Sequence, residues 1–496
     1  LTLLARTVSG VSWTTGSRIA QLLIQVALSI FLMRLLGPES FGLIAMVLVF
    51  TGFAGIFSQL GFSSALVQRK SISEEHRSTV FWLTILLGLF LAIALLLASP
   101  FIALFYDEPL LRPLTAWVAP SFLLAAPGLV PRSLLQREMR FDRIAKVDVF
   151  SVLASGVAAA VSAWFGAGVW SLVIQQLVYA GLGSGATLLM VGWRPRWVWS
   201  AAAIRELAGY GVGLTGFAIV NYWARSADKL LIGRFIGTGA LGLYSRAYFL
   251  MLLPLSQIVA VLGPVMLPAL SSIKDDKERV RRAYLRAMRL ITFLSFPLMF
   301  GLAVVAEPFV MGLLGPEWTG VVPLIQILAF VGMIQSICNP VGWIYTSQGR
   351  TDWMFWWGIA GGSTLIASIV IGILLGGVVS VAWAYLVGNL LILIPCIAIP
   401  GRLIGMRARD VFREVAGNLA CATGMAGLVW VVARRLPEAM NSLLALVILV
   451  SLGVIAYAAI VLISRQPALN DFRGLARQAA APVPSEVYAG EEMPAG

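Results

Sequence analysis

The sequence predicts an all-α integral membrane protein of about fourteen transmembrane helices, laid out as two pseudo-symmetric six-helix lobes followed by two further helices. Three observations lead there. The 496 residues are 59% hydrophobic and only 12% charged, with a mean hydropathy of +0.90, whereas soluble domains are about a quarter charged. Apolar runs of membrane-crossing length recur from one end of the chain to the other. The first and second stretches of the chain also resemble each other at a nearly constant offset.

A helix needs about 20 apolar residues to cross the hydrocarbon. Runs of that kind lie near 11–36, 41–68, 78–105, 113–131, 144–166, 169–192, 207–234, 240–272, 284–313, 321–347, 353–375, 378–400, 414–433 and 443–464. The first contains Arg18, Gln21 and Gln25, which makes it too long and too polar for a signal-peptide core. The eighth holds Pro254, Pro264 and Pro268, each a place where a helix can bend. From Arg465 the chain turns polar, and after about residue 479 it is rich in Ala, Pro and Glu, a composition expected to be disordered. The expected organisation is an N-terminal lobe over 1–200, a C-terminal lobe over 201–401, two helices within 402–464 and a tail over 465–496.

The net charge of +13 does not point to nucleic acid, because the basic residues fall between apolar runs and not in one patch. They crowd into one set of alternate loops, among them Arg132, Arg137, Arg140, Arg143 and the "KDDKERVRR" cluster at 274–282. By the positive-inside rule that side is cytoplasmic, with both termini on it. The opposite loops, "GPES", "YDEPLLR", "GAG" and "GPEWTG", are too short for a folded domain. Cys338, Cys396 and Cys421 lie in apolar runs without CxxC spacing, and His76 is the only histidine. Zinc or histidine chemistry therefore has little material, and no cofactor is expected.

The repeat is visible in three places. "RLLGPESFGL" (34–43) aligns with "RFIGTGALGL" (234–243). "SPFIALFYDEPLLRPL" (99–114) aligns with "EPFVMGLLGPEWTGVVPL" (307–324), and "GAGVWSL" (166–172) with "LGGVVSV" (375–381). A unit of six spans returns each copy to the membrane in the same orientation, so the copies are expected to be related by an axis along the membrane normal.

Within this apolar chain the stretch "NYWARSADKLLIGRFIG" (221–237) is out of place. Charged groups at a helix centre cost roughly 2.5–3.5 kcal/mol each on insertion scales. Asn221, Arg225, Asp228 and Lys229 fall within an arc of about 100° on one helix face. Under the repeat, Asn221, Arg225 and Lys229 align with Gln21, Gln25 and Ser29, which share a face with Thr14 and Arg18. Two equivalent helices, each with one polar stripe, suit the walls of a shared polar cavity. With Arg18, Arg225, Lys229 and Arg246 against Asp228, that cavity is expected to be net positive and to hold an anion. An Arg225–Asp228 ion pair at i,i+3 is the alternative for that pair. Arg34 and Arg234 occupy equivalent outer helix ends, where they can snorkel, and are expected to be structural.

These stretches resemble the Wzx-type polysaccharide flippases of the multidrug/oligosaccharidyl-lipid/polysaccharide exporter superfamily, in the subgroup linked to colanic acid-type exopolysaccharide. The likeness is carried by "MRLLGPESFGLIA" (33–45), "QLGFSSALVQRK" (59–70), "DKLLIGRFIGTGALGLYSRAY" (228–248) and "EPFVMGLLGPEW" (307–318). It implies an inner-membrane transporter that flips undecaprenyl-pyrophosphate-linked oligosaccharide repeat units by alternating access. By the same resemblance Arg18, Arg225 and Lys229 hold pyrophosphate or acidic sugars, and Gln21, Gln25 and Asn221 bond sugar hydroxyls. It also implies H+ or Na+ as a coupling ion, contact with membrane lipids and transient contact with polysaccharide polymerase machinery. For the ion, Asp228 is the best protonatable candidate, although its cationic neighbours favour the ionised form. A lipid II flippase or a drug/cation antiporter of the same superfamily would share the layout, and a net positive cavity disfavours the antiporter. A polyprenyl-dependent membrane glycosyltransferase would need catalytic acids or histidines in a large outer loop, which the short loops do not supply.

Overall fold

In hydrocarbon every backbone N–H and C=O of a spanning segment must be bonded within protein, so long apolar runs fold as helices. A computed structural model describes residues 3–59, 66–67, 72–201, 212–437 and 439–471, and no strand occurs among them. The helices are α1 (Leu3–Leu35), α2 (Pro38–Gln59), α3 (Glu74–Tyr106), α4 (Leu111–Val118), α5 (Pro120–Arg137), α6 (Phe141–Trp164) and α7 (Trp170–Val191). They continue as α8 (Val212–Phe235), α9 (Thr238–Ser272), α10 (Lys277–Val304), α11 (Val321–Cys338), α12 (Thr351–Leu374), α13 (Val378–Gly401), α14 (Ala408–Ala433) and α15 (Ser442–Ile463). Among the described residues, 13 helical segments are long and apolar enough to cross a membrane. The remaining long helix is α8, with 24 residues, whose four charges lower its hydropathy. The chain is thus an all-α, multi-pass membrane protein.

Local chemistry explains where these helices depart from the runs read in the sequence. The run 113–131 is two helices, because Pro120 opens α5 at its first position, where a missing N–H costs nothing. The basic cluster before the ninth span is the start of α10, capped by Asp276 accepting the Arg279 N–H at 3.0 Å. The run 321–347 breaks at Asn339–Val341, a single 3-10 turn carrying Pro340, and resumes over Gly342–Ser347. Much of the "QLGFSSALVQRK" motif and nearly all of the tail lie outside the described residues. His76 is spent on a capping box: its backbone N–H donates to Ser73 Oγ at 3.3 Å, and its Nδ1 lies 2.6 Å from the same oxygen.

The contacts divide the chain into two units. Unit 1 comprises residues 1–249, 307–324 and 358–388. Its outside is apolar: Phe165 is 84% and Leu189 85% exposed, as lipid-facing side chains are. Its polar ties are internal. Trp82 donates to the Arg196 carbonyl at 2.9 Å and stacks on Trp197 at 3.9 Å, strapping the segment after α7 onto the start of α3.

At one end of unit 1 the repeat returns as reciprocal contacts. A side chain at Gly42 would collide with the Thr238 carbonyl oxygen, and one at Gly242 with the Pro38 carbonyl oxygen. In the repeat register Gly42 matches Gly242 and Pro38 matches Thr238, so the two starts of α2 and α9 cross backbone to backbone as equals. Arg34 and Arg234 behave likewise. Arg34 Nε donates to the Leu313 carbonyl at 2.6 Å and its Nη2 donates to Gly312. The Arg234 guanidinium lies 6.0 Å from the Phe105 ring, and Phe105 is the register equivalent of Leu313. The helical ends that receive them each stop at a residue of positive φ, Asp107 (φ 57°) and Gly315 (φ 104°), again equivalent positions. These arginines are structural, as expected, but each reaches into the other repeat copy. Trp318, completely buried, donates to the Met33 carbonyl at 2.7 Å and packs edge-on against Phe41 at 5.5 Å.

Unit 2 comprises residues 250–306, 325–357 and 389–496. Its core joins Leu270, Tyr284, Met288, Phe296, Ile344 and Ile397 to Val411 and Val415 of α14. Polar anchors register α10 on α14: Arg289 bonds Glu414 at 2.5 Å and Asp471 at 3.0 Å, and Asn418 donates to the Arg289 carbonyl at 2.8 Å. Arg289→Ala would leave part-buried Glu414 without its cation and Asp471 with Arg286 alone, at 3.3 Å. A loss of about 2 kcal/mol is expected, between the values for exposed and buried pairs. Thermal unfolding of the purified full-length protein in detergent measures it; an unchanged midpoint would show that the triad contributes nothing.

Candidate functional site

Polar side chains in an apolar unit gather where they can face one another. In unit 1 they meet at a cavity of about 540 Å³. Helix α1 contributes Gln21, Gln25 and Ser29, spaced four residues apart on one face. Its rotation is set by α6, where Leu28 fills the space left by Gly156. Helix α7 contributes Leu172, Gln175, Gln176 and Tyr179, the i, i+3, i+4, i+7 face. Helix α2 adds Phe41, Ile44 and Leu48, α6 adds Val152 and Ser155, and α9 adds Arg246 and Phe249.

Arg246 is the one charged residue in this lining. Its guanidinium lies 4.7 Å from the Phe41 ring and 5.4 Å from the Phe249 ring, a position stabilised by the rings' negative faces. The residue is half-buried and lines the cavity, and its Nε is buried with no hydrogen-bond partner among the described residues. Nearby charge is already neutralised. Arg132 on α5 and Asp148 on α6 form a two-pronged pair at 2.6 and 2.8 Å, close to Tyr179. Arg132, read in the sequence as a loop cation, is thus a helix-to-helix tie.

The expected site residues do not all converge. Gln21, Gln25 and Arg246 come together in the cavity. Arg18, one turn before Gln21, is exposed, and so is Arg225. Lys229 is half-buried, and none of these three lines the cavity. Asn221 sits in α8 with its side chain outside the described residues. Asp228 is buried and accepts the Lys229 backbone N–H at 2.7 Å. No Arg225–Asp228 ion pair forms among the described residues. Of the cations expected together, Arg246 is the one that lines this cavity among the described residues. The reason is how α8 packs: Tyr222 enters the notch at Gly52 of α2 and donates to the Val49 carbonyl at 2.5 Å. That contact fixes the rotation of α8, burying Ser226 and Asp228 and leaving Arg225 outside.

Gln175, Gln176 and Tyr179 were missed in the sequence, although "SLVIQQLVYAG" carries a signal. Two adjacent amides inside a membrane span need a polar surrounding, and they share a helix face with Tyr179. Among the described residues no group of three or more His, Cys, Asp or Glu is placed to hold a metal ion, and the three cysteines are free.

A family model described as a polysaccharide biosynthesis protein matches residues 31–323. The chain is 30% identical over 386 residues to the teichuronic acid biosynthesis protein TuaB of Bacillus subtilis (strain 168), covering 76% of this chain and 78% of that protein. It is 28% identical over 392 residues to the lipopolysaccharide biosynthesis protein WzxC of Escherichia coli (strain K12), covering 78% and 79%. Among solved structures it superposes on the lipid II flippase MurJ in an inward closed conformation with a TM-score of 0.72. That likeness covers 92% of this chain and 98% of the other at 15% identity, and it concerns the fold alone.

Proposed function

The chain belongs to the polysaccharide biosynthesis protein family, and on that footing we propose that it flips undecaprenyl-pyrophosphate-linked oligosaccharide repeat units across the bacterial inner membrane. One observation supports this reading above the others: a cavity where four glutamine amides and the Arg246 guanidinium, whose Nε has no hydrogen-bond partner among the described residues, are set among apolar side chains such as Phe41, Ile44 and Leu172. Amides bond sugar hydroxyls as donors and acceptors, and an unpaired arginine in low dielectric calls for an anion.

The pathway is alternating access, with both termini cytoplasmic and with H+ or Na+ supplying the work. The prenyl tail stays in lipid while the headgroup passes among Gln21, Gln25 and Arg246. The reciprocal crossing of Gly42 and Gly242, with Arg34 on 312–313, closes one end of unit 1 and has to part when that end opens. Asn221, Arg225, Asp228 and Lys229 then act on a segment of the path other than this cavity. The product passes to polysaccharide polymerase machinery.

Deleting the gene is expected to remove surface polysaccharide and to accumulate lipid-linked repeat units, detected by mass spectrometry of extracted lipids. Arg225→Ala and Lys229→Ala are each expected to reduce rescue several-fold. Accumulation of a peptidoglycan precursor instead would identify a lipid II flippase. Unchanged glycan and lipid pools would sink the transport reading.

A further inference from the structure

We propose that the linker after α7, residues 193–200, is a binding surface for an anionic phospholipid. Arg194 and Arg196 take its phosphodiester, and the indoles of Trp197 and Trp199 seat it at the boundary between headgroup and acyl chain. The inference goes beyond the transport reading and needs only that the chain spans a bilayer.

The local sequence builds the surface. The stretch "GWRPRWVWS" (192–200) leaves α7 through Gly192 (φ 67°). Pro195 has no N–H and keeps Arg194 out of the helical region, so the chain runs extended, and Arg194 and Arg196, two apart, share a side. The stretch is pinned to the start of α3. Trp193 Nε1 donates to Glu74 at 2.8 Å. The Arg196 N–H donates to Ser78 Oγ at 3.1 Å, and its carbonyl accepts from Trp82 Nε1 at 2.9 Å. The Ser200 N–H donates to Thr79 Oγ1 at 3.1 Å. Both backbone groups of Arg196 are thus spent, and its side chain extends from a fixed point.

The rings stay outside this well-anchored backbone. Trp197 stacks one face on Trp82 at 3.9 Å and is still 86% exposed, and Trp199 is 54% exposed. An indole open to its surroundings is stabilised at headgroup level, where its body meets acyl chain and its N–H meets water.

Charge selects the lipid. Arg194 and Arg196 are exposed, and neither has an ion-pair partner among the described residues. Glu74, the carboxylate that holds Trp193, is already engaged by Arg77 at 3.8 Å and by the Ser78 hydroxyl at 3.3 Å. Guanidinium forks match phosphate oxygens, and their stems can lie along the apolar boundary while the heads stay wet. A zwitterionic headgroup would bring its own ammonium beside the two guanidinia, where like charges repel. A headgroup with a bare phosphodiester brings none.

The full-length protein in nanodiscs of phosphatidylcholine, with about one part in ten of phosphatidylglycerol, tests this. Bromine, which quenches nearby indoles, is carried on the acyl chains of one lipid or the other at equal mole fraction. The signal of Trp197 is taken as the difference between wild type and Trp197→Phe. Phosphatidylglycerol is expected to be enriched at Trp197 by about fivefold for each arginine, the factor corresponding to about 1 kcal/mol per basic side chain at an anionic surface. Trp164, 71% exposed at the end of α6 with no arginine near it in sequence, should be quenched equally by both lipids. Arg194→Gln with Arg196→Gln should bring Trp197 to the same bulk ratio, and the paired lysine variant should keep most of the preference. Inorganic phosphate should not displace the lipid. Equal quenching of Trp197 by both lipids in wild type overturns the proposal, as does a preference that survives the paired glutamine variant. Loss of the preference to inorganic phosphate would mark a free-anion site, and no quenching by either lipid would mark a surface that meets protein or water; each also overturns it. The transport reading is tested separately, on the lipid pools of the deletion strain, and its failure leaves this result standing.

Discussion

Gly42→Leu and Gly242→Leu, made separately, are each expected to abolish accumulation of the folded protein, and by similar amounts. Ordinary overpacking of a core costs roughly 1–3 kcal/mol, because neighbouring side chains shift to make room. Here the obstacle is a backbone carbonyl, Thr238 facing Gly42 and Pro38 facing Gly242. A carbonyl at the start of a helix moves only if the helix moves. Displacing the start of α9 also displaces Arg246, about two turns further along. Even alanine at either glycine puts its Cβ onto the carbonyl, so a smaller loss of the same kind is expected from Gly42→Ala. Gly55→Ala, in the same helix as Gly42, is the control. Nothing lies within 4 Å of an added Cβ there, and replacing a mid-helix glycine should gain up to about 1 kcal/mol. Membrane abundance and thermal unfolding in detergent report all four variants. A Gly42→Leu protein that melts with the wild type would show that the crossing is not held as described.

The spans were legible because hydropathy is summed over about 20 residues, so a few polar groups do not hide a helix. Even α8, with Arg225, Asp228, Lys229 and Arg234, was readable as part of the apolar run 207–234, and its place in the repeat matched that of α1. The pairing of Arg34 with Arg234 came from the same register, and the structure adds what each one touches. What could not be read was rotation. A helical wheel places Asn221, Arg225 and Lys229 on one face but does not say what that face meets; that depended on Tyr222 finding Gly52 on another helix. Ties between helices were hidden for the same reason. Arg132 and Asp148 lie on different helices, and neither shows in the sequence which partner it takes. The α7 amides were legible in principle, but with no charge beside them they stand out little from the apolar run.

Trp318→Ala is expected to be the most destabilising single truncation of a buried side chain in unit 1, at about 3–5 kcal/mol. Trp318 is completely buried, its ring packs edge-on against Phe41 at 5.5 Å, and its Nε1 donates to the Met33 carbonyl at 2.7 Å. Trp318→Phe separates the two contributions: the ring contact survives, and the unanswered Met33 carbonyl costs about 1–3 kcal/mol. The consequence for function runs through Phe41, whose ring meets Trp318 on one side and the Arg246 guanidinium at 4.7 Å on the other. If Trp318 holds that ring in place, removing it loosens the cation–aromatic contact that positions Arg246. The stability losses of Trp318→Ala and Arg246→Lys should then fail to add, with a coupling of at least about 0.5 kcal/mol, typical of side chains sharing a contact. Phe41→Leu should remove the coupling, because leucine offers neither an edge for Trp318 nor a face for the guanidinium. Losses that add to within about 0.3 kcal/mol would mean that the closed end of unit 1 and its cavity are stabilised independently. Arg246 would then owe its position to Phe249 and its own helix.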